Sequence, residues 1–226
     1  MAGQEAITAQ YDRVAPWYRT LSPLFLINPA LRRRAVAALA LRPGAAVLEV
    51  GVGSGRNLPY LLGAVGPSGA VVGVDLSAGM LAEARKLVTK RGAANVDLIE
   101  ADASTVVLDR EFDAVLFSLS YSVIPKPVRP AALARAWDRL RPGGRLVVMD
   151  GGLARTRLRR VIEPIVRQLT RLGPGDPDTR PWQDLAAYGE VTTEPALLDI
   201  YFVYTVTKPP REETSASAPV PSSGSR

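Results

Sequence analysis

Ala46-Val47-Leu48-Glu49-Val50-Gly51-Val52-Gly53-Ser54-Gly55-Arg56-Asn57 is the stretch on which the reading of this chain turns. Val47, Leu48 and Val50 have the apolar, largely β-branched character of a strand covered on both faces. Gly51, Gly53 and Gly55 then permit a tight turn that brings backbone close to a ligand. A helix starting after Gly55 would aim its free N–H groups at that ligand. The next strand, Ala70-Val71-Val72-Gly73-Val74-Asp75, ends in a carboxylate 20 residues past Gly55. An acid there accepts hydrogen bonds from both hydroxyls of a ribose.

Two cofactor classes use such geometry. The dinucleotide fingerprint G-x-G-x-x-G, laid on Gly51 and Gly53, requires a third glycine where this chain has Arg56, which argues against NAD or FAD. Glu49-x-Gly51-x-Gly53-x-Gly55 instead resembles the E/D-x-G-x-G-x-G motif of the class I S-adenosylmethionine-dependent methyltransferases. The turn Arg141-Pro142-Gly143-Gly144-Arg145-Leu146 resembles that family's L-x-P-G-G-x-L element, and the likeness runs over about residues 10 to 207. It implies S-adenosylmethionine as cofactor, with S-adenosylhomocysteine as product. It also implies a doubly wound, mostly parallel seven-stranded Rossmann-like α/β sheet of order 3-2-1-4-5-7-6 with helices on both faces, which the alternation of strand and helix patterns supports.

The same resemblance implies a set of site residues. Glu49, Gly51, Gly53, Gly55, Asn57 and Asp75 line the cofactor, Leu76 and Met80 flank adenine and ribose, and Asp102 with the N–H of Ala103 meets the adenine edge. Ser118, a hydroxyl at the end of the fourth strand, joins the cofactor set, and Tyr121 and Ser122, with Tyr18, are placed on the acceptor side. Tyr11-Asp12-x-x-Ala15-x-x-Tyr18 resembles a leader helix that lies over the cofactor, which adds Tyr11 to the cofactor set, although Arg19 replaces the usual second Asp. The bland reading of these aromatics is packing on the sheet edge. For Met80, Leu81, Ala84 and Leu87 it is a helical core stripe, and for Asp102 a turn.

With 226 residues and 47% hydrophobic content, the chain fits one domain of ordinary size. We divide it into an N-terminal helical cap (1–41), a methyltransferase domain (42–208) and a disordered Ser/Pro/Ala-rich tail (209–226). Zero cysteines excludes disulfides and suits a reducing cytoplasm; zero histidines removes the commonest general base and metal ligand, and no metal is expected. No apolar run approaches the ~20 residues of a membrane span, and no signal peptide is seen. The expected location is therefore cytoplasmic.

Net charge is +6. Arg32, Arg33 and Arg34 follow an apolar, proline-punctuated segment, and Ala154 to Leu172 reads as a basic amphipathic helix kinked at Pro164. Such helices suit peripheral contact with an anionic membrane face or a lid over the site, and a solvated basic face is the default. Gly55-Arg56-Asn57-Leu58-Pro59 with Ser122-Val123-Ile124-Pro125-Lys126-Pro127 resembles bacterial phospholipid N-methyltransferases, which points to phosphatidylethanolamine. C- or O-methylation of a quinone or other small metabolite is the alternative, although the quinone enzymes' G-x-R-N-V element is absent. A nucleic-acid acceptor is disfavoured because no N-P-P-Y or D-P-P-Y motif follows the fourth strand. A non-catalytic cofactor-binding protein and a nicotinamide oxidoreductase are the remaining rivals. Asp12 and Asp150 are the candidate bases, and Tyr11, Tyr18 and Tyr121 the candidate cation–π partners of a sulfonium.

Overall fold

A computed structural model describes residues 28–151, 175–176, 178–197 and 200–211. The leader with Tyr11, Asp12 and Tyr18, the stretch 154–172 expected to form a basic helix, and residues 212–226 of the expected tail lie outside the described residues.

Helix α1 (Pro29–Ala38) opens the described chain. Asn28 caps it, its Oδ1 accepting from the Leu31 N–H at 3.0 Å, and Pro29 supplies the preset first turn. It ends at Ala38, and Ala40 takes a left-handed φ of 50° before Pro43-Gly44. Then follow β1 (Ala46–Val50), α2 (Leu58–Val65), β2 (Ala70–Asp75), α3 (Ala78–Arg91), β3 (Val96–Glu100) and β4 (Phe112–Ser118). Next come α4 (Arg129–Asp138), β5 (Leu140–Gly151), α5 (Pro181–Leu185), a 3-10 turn (Ala186–Tyr188), β6 (Thr192–Leu197) and β7 (Tyr201–Thr207). The expected Pro-Gly-Gly turn is absorbed into β5: pairing with β4 slips between Phe112↔Leu140 and Ala114↔Arg145, and Gly143 takes a φ of 78° inside the irregularity.

The seven strands pair in the order β3-β2-β1-β4-β5-β7-β6, as the resemblance implied. All neighbours are parallel except β7, which runs antiparallel to both β5 and β6. Because parallel strands are covered on both faces, alternation sorts their side chains into two cores. Val47, Val71, Leu116 and Met149 pack under α1, α2 and α3 with Leu31, Leu58, Leu61 and Leu81. Leu48, Val50, Val74, Phe117 and Val148 pack on the other face with Leu133 of α4 and Leu185 of α5. Helix α1 thus packs into the same core as α2 and α3.

The chain winds outward from β1 through β2 to β3, then returns to lay β4 on the opposite side of β1. The carboxyl ends of β1 and β4 therefore flank the point where strand order reverses. Open α/β sheets bind ligands in that crevice.

Candidate cofactor and active site

Glu49 and Ser118 stand on neighbouring strands at that switch point, β1 pairing with β4 through Glu49↔Leu116 and Val50↔Phe117. Alternation puts Glu49 on the α1–α2 face, with Leu116 and Ser118 beside it on β4. Both side chains are buried, and each has one polar atom without a partner among the described residues, Oε2 of Glu49 and Oγ of Ser118. A buried polar atom left unpaired costs about 1–3 kcal/mol, so two of them at one strand end mark where a ligand belongs.

The other oxygen of Glu49 is held. Asn57 donates from Nδ2 to Oε1 at 2.6 Å, and Arg32 on α1 donates from Nη1 to the Asn57 Oδ1 at 3.0 Å. Burial raises the Glu49 carboxyl to a pKa of about 8; the Asn57 hydrogen bond and the Arg32 charge pull it down by less, and the Asp75 charge adds to the rise. Burial therefore favours the neutral form of Glu49 at pH 7.

The turn after β1 is fixed to β2 by two bonds, the N–H groups of Gly51 and Val52 donating to the Val74 carbonyl at 2.7 and 3.0 Å. A Cβ on Gly51 would lie 2.4 Å from the Cβ of Ser120, so glycine is needed there for close approach, and its φ is +74°. Gly53 differs. Its φ is +54°, yet a Cβ added to it would meet nothing within 4 Å, so this side of the loop is open to a ligand.

Asp75, at the end of β2, accepts from the Gly53 N–H at 2.7 Å through Oδ2 and from the Ser77 N–H at 3.0 Å through Oδ1. Those two bonds orient the carboxylate beside the glycine turn. Leu76 follows with 36% of its surface exposed, whereas Met80 is buried, its N–H capped by the Ser77 hydroxyl at 3.1 Å. Asp102 lies two residues past β3 and forms an Asx turn, its Oδ1 accepting from the N–H and hydroxyl of Ser104, both at 2.8 Å. Ala103, half-buried, packs on the second core.

The loop after β4 corrects the reading of Tyr121. Instead of offering a hydroxyl to an acceptor or a ring to a sulfonium, Tyr121 is buried in the second core. Its hydroxyl donates to Asp184 at 2.8 Å, one ring contact is the edge-on Phe117 at 5.6 Å, and the Arg129 guanidinium sits 5.8 Å from its centroid. Burial first, and then the Asp184 carboxylate, push its phenol well above the usual range. Ser122 donates its N–H and hydroxyl to Asp150, both at 2.9 Å, and Gly151 donates a third bond at 2.8 Å. Both oxygens of Asp150 thus anchor this loop to β5, an arrangement for a brace rather than for a base. Burial raises its pKa.

Arg129 completes the brace and was not foreseen from sequence. Buried, it donates to the carbonyls of Ile124 at 2.7 Å and Ser122 at 3.0 Å and to Asp176 at 3.0 Å. Asp176 and Asp184 carry no sequence signal either, and Arg32, expected on a basic face, is instead buried against Asn57. Among the described residues, no cluster of three metal-ligating side chains exists and no helix is long and apolar enough to cross a membrane.

A family profile described as a methyltransferase domain matches residues 47–144, from β1 to the β5 turn. Aklanonic acid methyltransferase DauC of Streptomyces sp. (strain C5) is 38% identical over 63% of this chain; the chain spans 64% of that relative's length, under two thirds. The phosphatidylethanolamine N-methyltransferase of Cereibacter sphaeroides is 35% identical over 65% of this chain and 68% of its own length. A SAM-dependent methyltransferase structure from Aquifex aeolicus superposes with a TM-score of 0.59 at 20% identity, covering 80% of this chain and 94% of that one, a likeness of fold. With an E-x-G-x-G-x-G turn, an acid closing β2 and this strand order, the chain belongs to the class I S-adenosylmethionine-dependent methyltransferases.

Proposed function

We propose that this chain transfers the methyl group of S-adenosylmethionine to a small or amphiphilic acceptor, with the amine of phosphatidylethanolamine as the first acceptor to test. The observation that carries the reading is the pair of buried atoms, Glu49 Oε2 and Ser118 Oγ, unpartnered among the described residues. They fit the polar, cationic amino-acid end of the cofactor. In this reading Asp75 takes the ribose hydroxyls and Leu76 covers the adenine over buried Met80. Asp102 and the N–H of Ala103 meet the adenine edge, Gly51 and Gly55 shape the turn, Asn57 holds Glu49, and Tyr11 lies over the pocket.

A sulfonium carries an already activated methyl group, so the protein's task is positioning and exclusion of water. An amine delivered unprotonated needs no side-chain base, which agrees with the use of Asp150 as a brace. Ser122, fixed by that brace, and Tyr18 are the proposed acceptor-side residues, while Tyr121 supports the loop from below.

The lipid version draws on the likeness to the Cereibacter enzyme. A soluble small acceptor is the second reading, favoured by two arginines expected to meet phosphates: Arg32 is buried against Asn57, and Arg34 donates to the carbonyls of Pro195 and Ala196 at 3.1 and 2.7 Å. The test is incubation with methyl-labelled cofactor and phosphatidylethanolamine vesicles beside a panel of soluble amines, phenols and quinols. Labelled headgroup is the expected product. Label in a soluble acceptor with none in lipid refutes the lipid version.

A further inference from the structure

Asn57 occupies the N-cap position of α2, where an asparagine side chain normally accepts from the helix's own N–H groups, yet it makes no such bond. Its amide instead lies between two buried side chains from other elements, Arg32 of α1 and Glu49 of β1. The chemistry of the three groups sets the direction of the chain. A guanidinium only donates, so the amide must turn Oδ1 toward Arg32, and its NH2 then faces Glu49. Glu49 must accept at Oε1, which leaves Oε2 as the oxygen that holds a proton or meets a ligand.

We propose that Arg32 is a positioning residue of the cofactor pocket: by locking the side-chain amide of Asn57 it makes Glu49 an acceptor at Oε1 and frees Oε2 for a cationic donor of the bound cofactor. The inference rests on the cofactor reading above and deepens it. Without Arg32 the amide is free to flip and present Oδ1 to Glu49. A protonated Glu49 would then donate to it, and the carboxyl would be trapped in its neutral form. The charged groups acting on Glu49 are Arg32 from α1, which favours its ionisation, and Asp75 from β2, which opposes it. Loss of Arg32 therefore removes the favourable charge as well as the lock. A ligand that brings a cationic donor to Oε2 must displace a proton from Glu49, so binding should release a proton and strengthen with rising pH.

The experiment is calorimetric titration of the full chain with S-adenosylhomocysteine, from pH 6 to 9, in two buffers of different ionisation enthalpy. Wild type should bind with proton release below pH 8. Arg32→Met should bind about tenfold more weakly at pH 7, the loss expected of one hydrogen bond to a charged group, with its pH dependence displaced upward. Arg32→Lys, which keeps a charge and a donor, should recover most of the loss. Asn57→Ser guards against misfolding: serine caps α2 well but is too short to bridge Arg32 and Glu49, and should weaken binding as Arg32→Met does. A purely structural role for Arg32 would lower the melting temperature and leave affinity and proton release of the folded protein unchanged. Wild-type affinity and proton release in both Arg32→Met and Asn57→Ser overturn the proposal while the cofactor reading stands. Failure of the wild-type chain to bind S-adenosylhomocysteine overturns the cofactor reading itself.

Discussion

Replacing Glu49 by glutamine should flatten the dependence of folding stability on pH. Burial raises the Glu49 carboxyl from its ordinary 4.5 to about 8 in the folded chain. Between those values the folded state keeps a proton that the unfolded state has lost. Stability contributed by a raised carboxyl is thus fully present at low pH and declines as pH rises through the window, until ionisation of the folded carboxyl ends the trend near pH 8. Each unit is worth about 1.4 kcal/mol, so from pH 5 to pH 8 this one group removes about 4 kcal/mol. For a chain of this size that is roughly 10 °C of melting temperature.

Glutamine keeps the acceptor at Oε1 for Asn57 and cannot ionise. Glu49→Gln should therefore stay within about 1 kcal/mol of wild type at pH 5, where Glu49 is neutral in the folded chain, and surpass it by several kcal/mol at pH 8. Asp150 is raised by burial in both proteins, so only the difference between the curves isolates Glu49. Urea unfolding followed by circular dichroism at half-unit pH steps measures that difference. Parallel curves for the two proteins from pH 5 to 8 would refute the assignment of a buried, largely neutral carboxyl at the end of β1.

Gly51, closely packed, and Gly53, open, should respond differently. Gly51→Ala forces a Cβ to 2.4 Å from Ser120 at a left-handed φ, and should cost about 3 kcal/mol in urea unfolding; a loss below 1 kcal/mol would contradict the packing. Gly53→Ala meets no protein atom, so it should cost only about 1 kcal/mol of strain while weakening S-adenosylhomocysteine binding tenfold or more by calorimetry. Unaltered affinity in Gly53→Ala would move the ligand away from this loop. Arg129→Ala strips the donor from two carbonyls and from Asp176, and should lower stability by roughly 3 kcal/mol, with amide exchange accelerating first in residues 120–125. Uniform acceleration across the sheet would deny the local brace.

How far the chain could be read in advance follows from the range of the forces involved. The first strand, its glycine turn and the acid closing the second strand are local features, each written in a few consecutive residues, and a doubly wound sheet gathers such strand ends at one edge without further instruction. The arginines at 32, 33 and 34 carry no such signal. They are chemically identical and adjacent, but each step along a helix turns the side chain by about 100°, so they meet three different surroundings. Arg32 enters the core and reaches Asn57, Arg33 points to solvent, and Arg34 lies along the carbonyls of the edge strand β6, 161 and 162 residues away in sequence. Read as a row, they suit an anionic membrane face or a lid over the site. Tyr121 failed for the same reason, since its hydroxyl partner Asp184 lies 63 residues downstream on α5. What distinguishes a buried relay from a solvated basic patch is the rotation of one helix against a distant strand, and that is set by the apolar stripe of Leu31, Ala35 and Val36 docking on the sheet rather than by the arginines themselves.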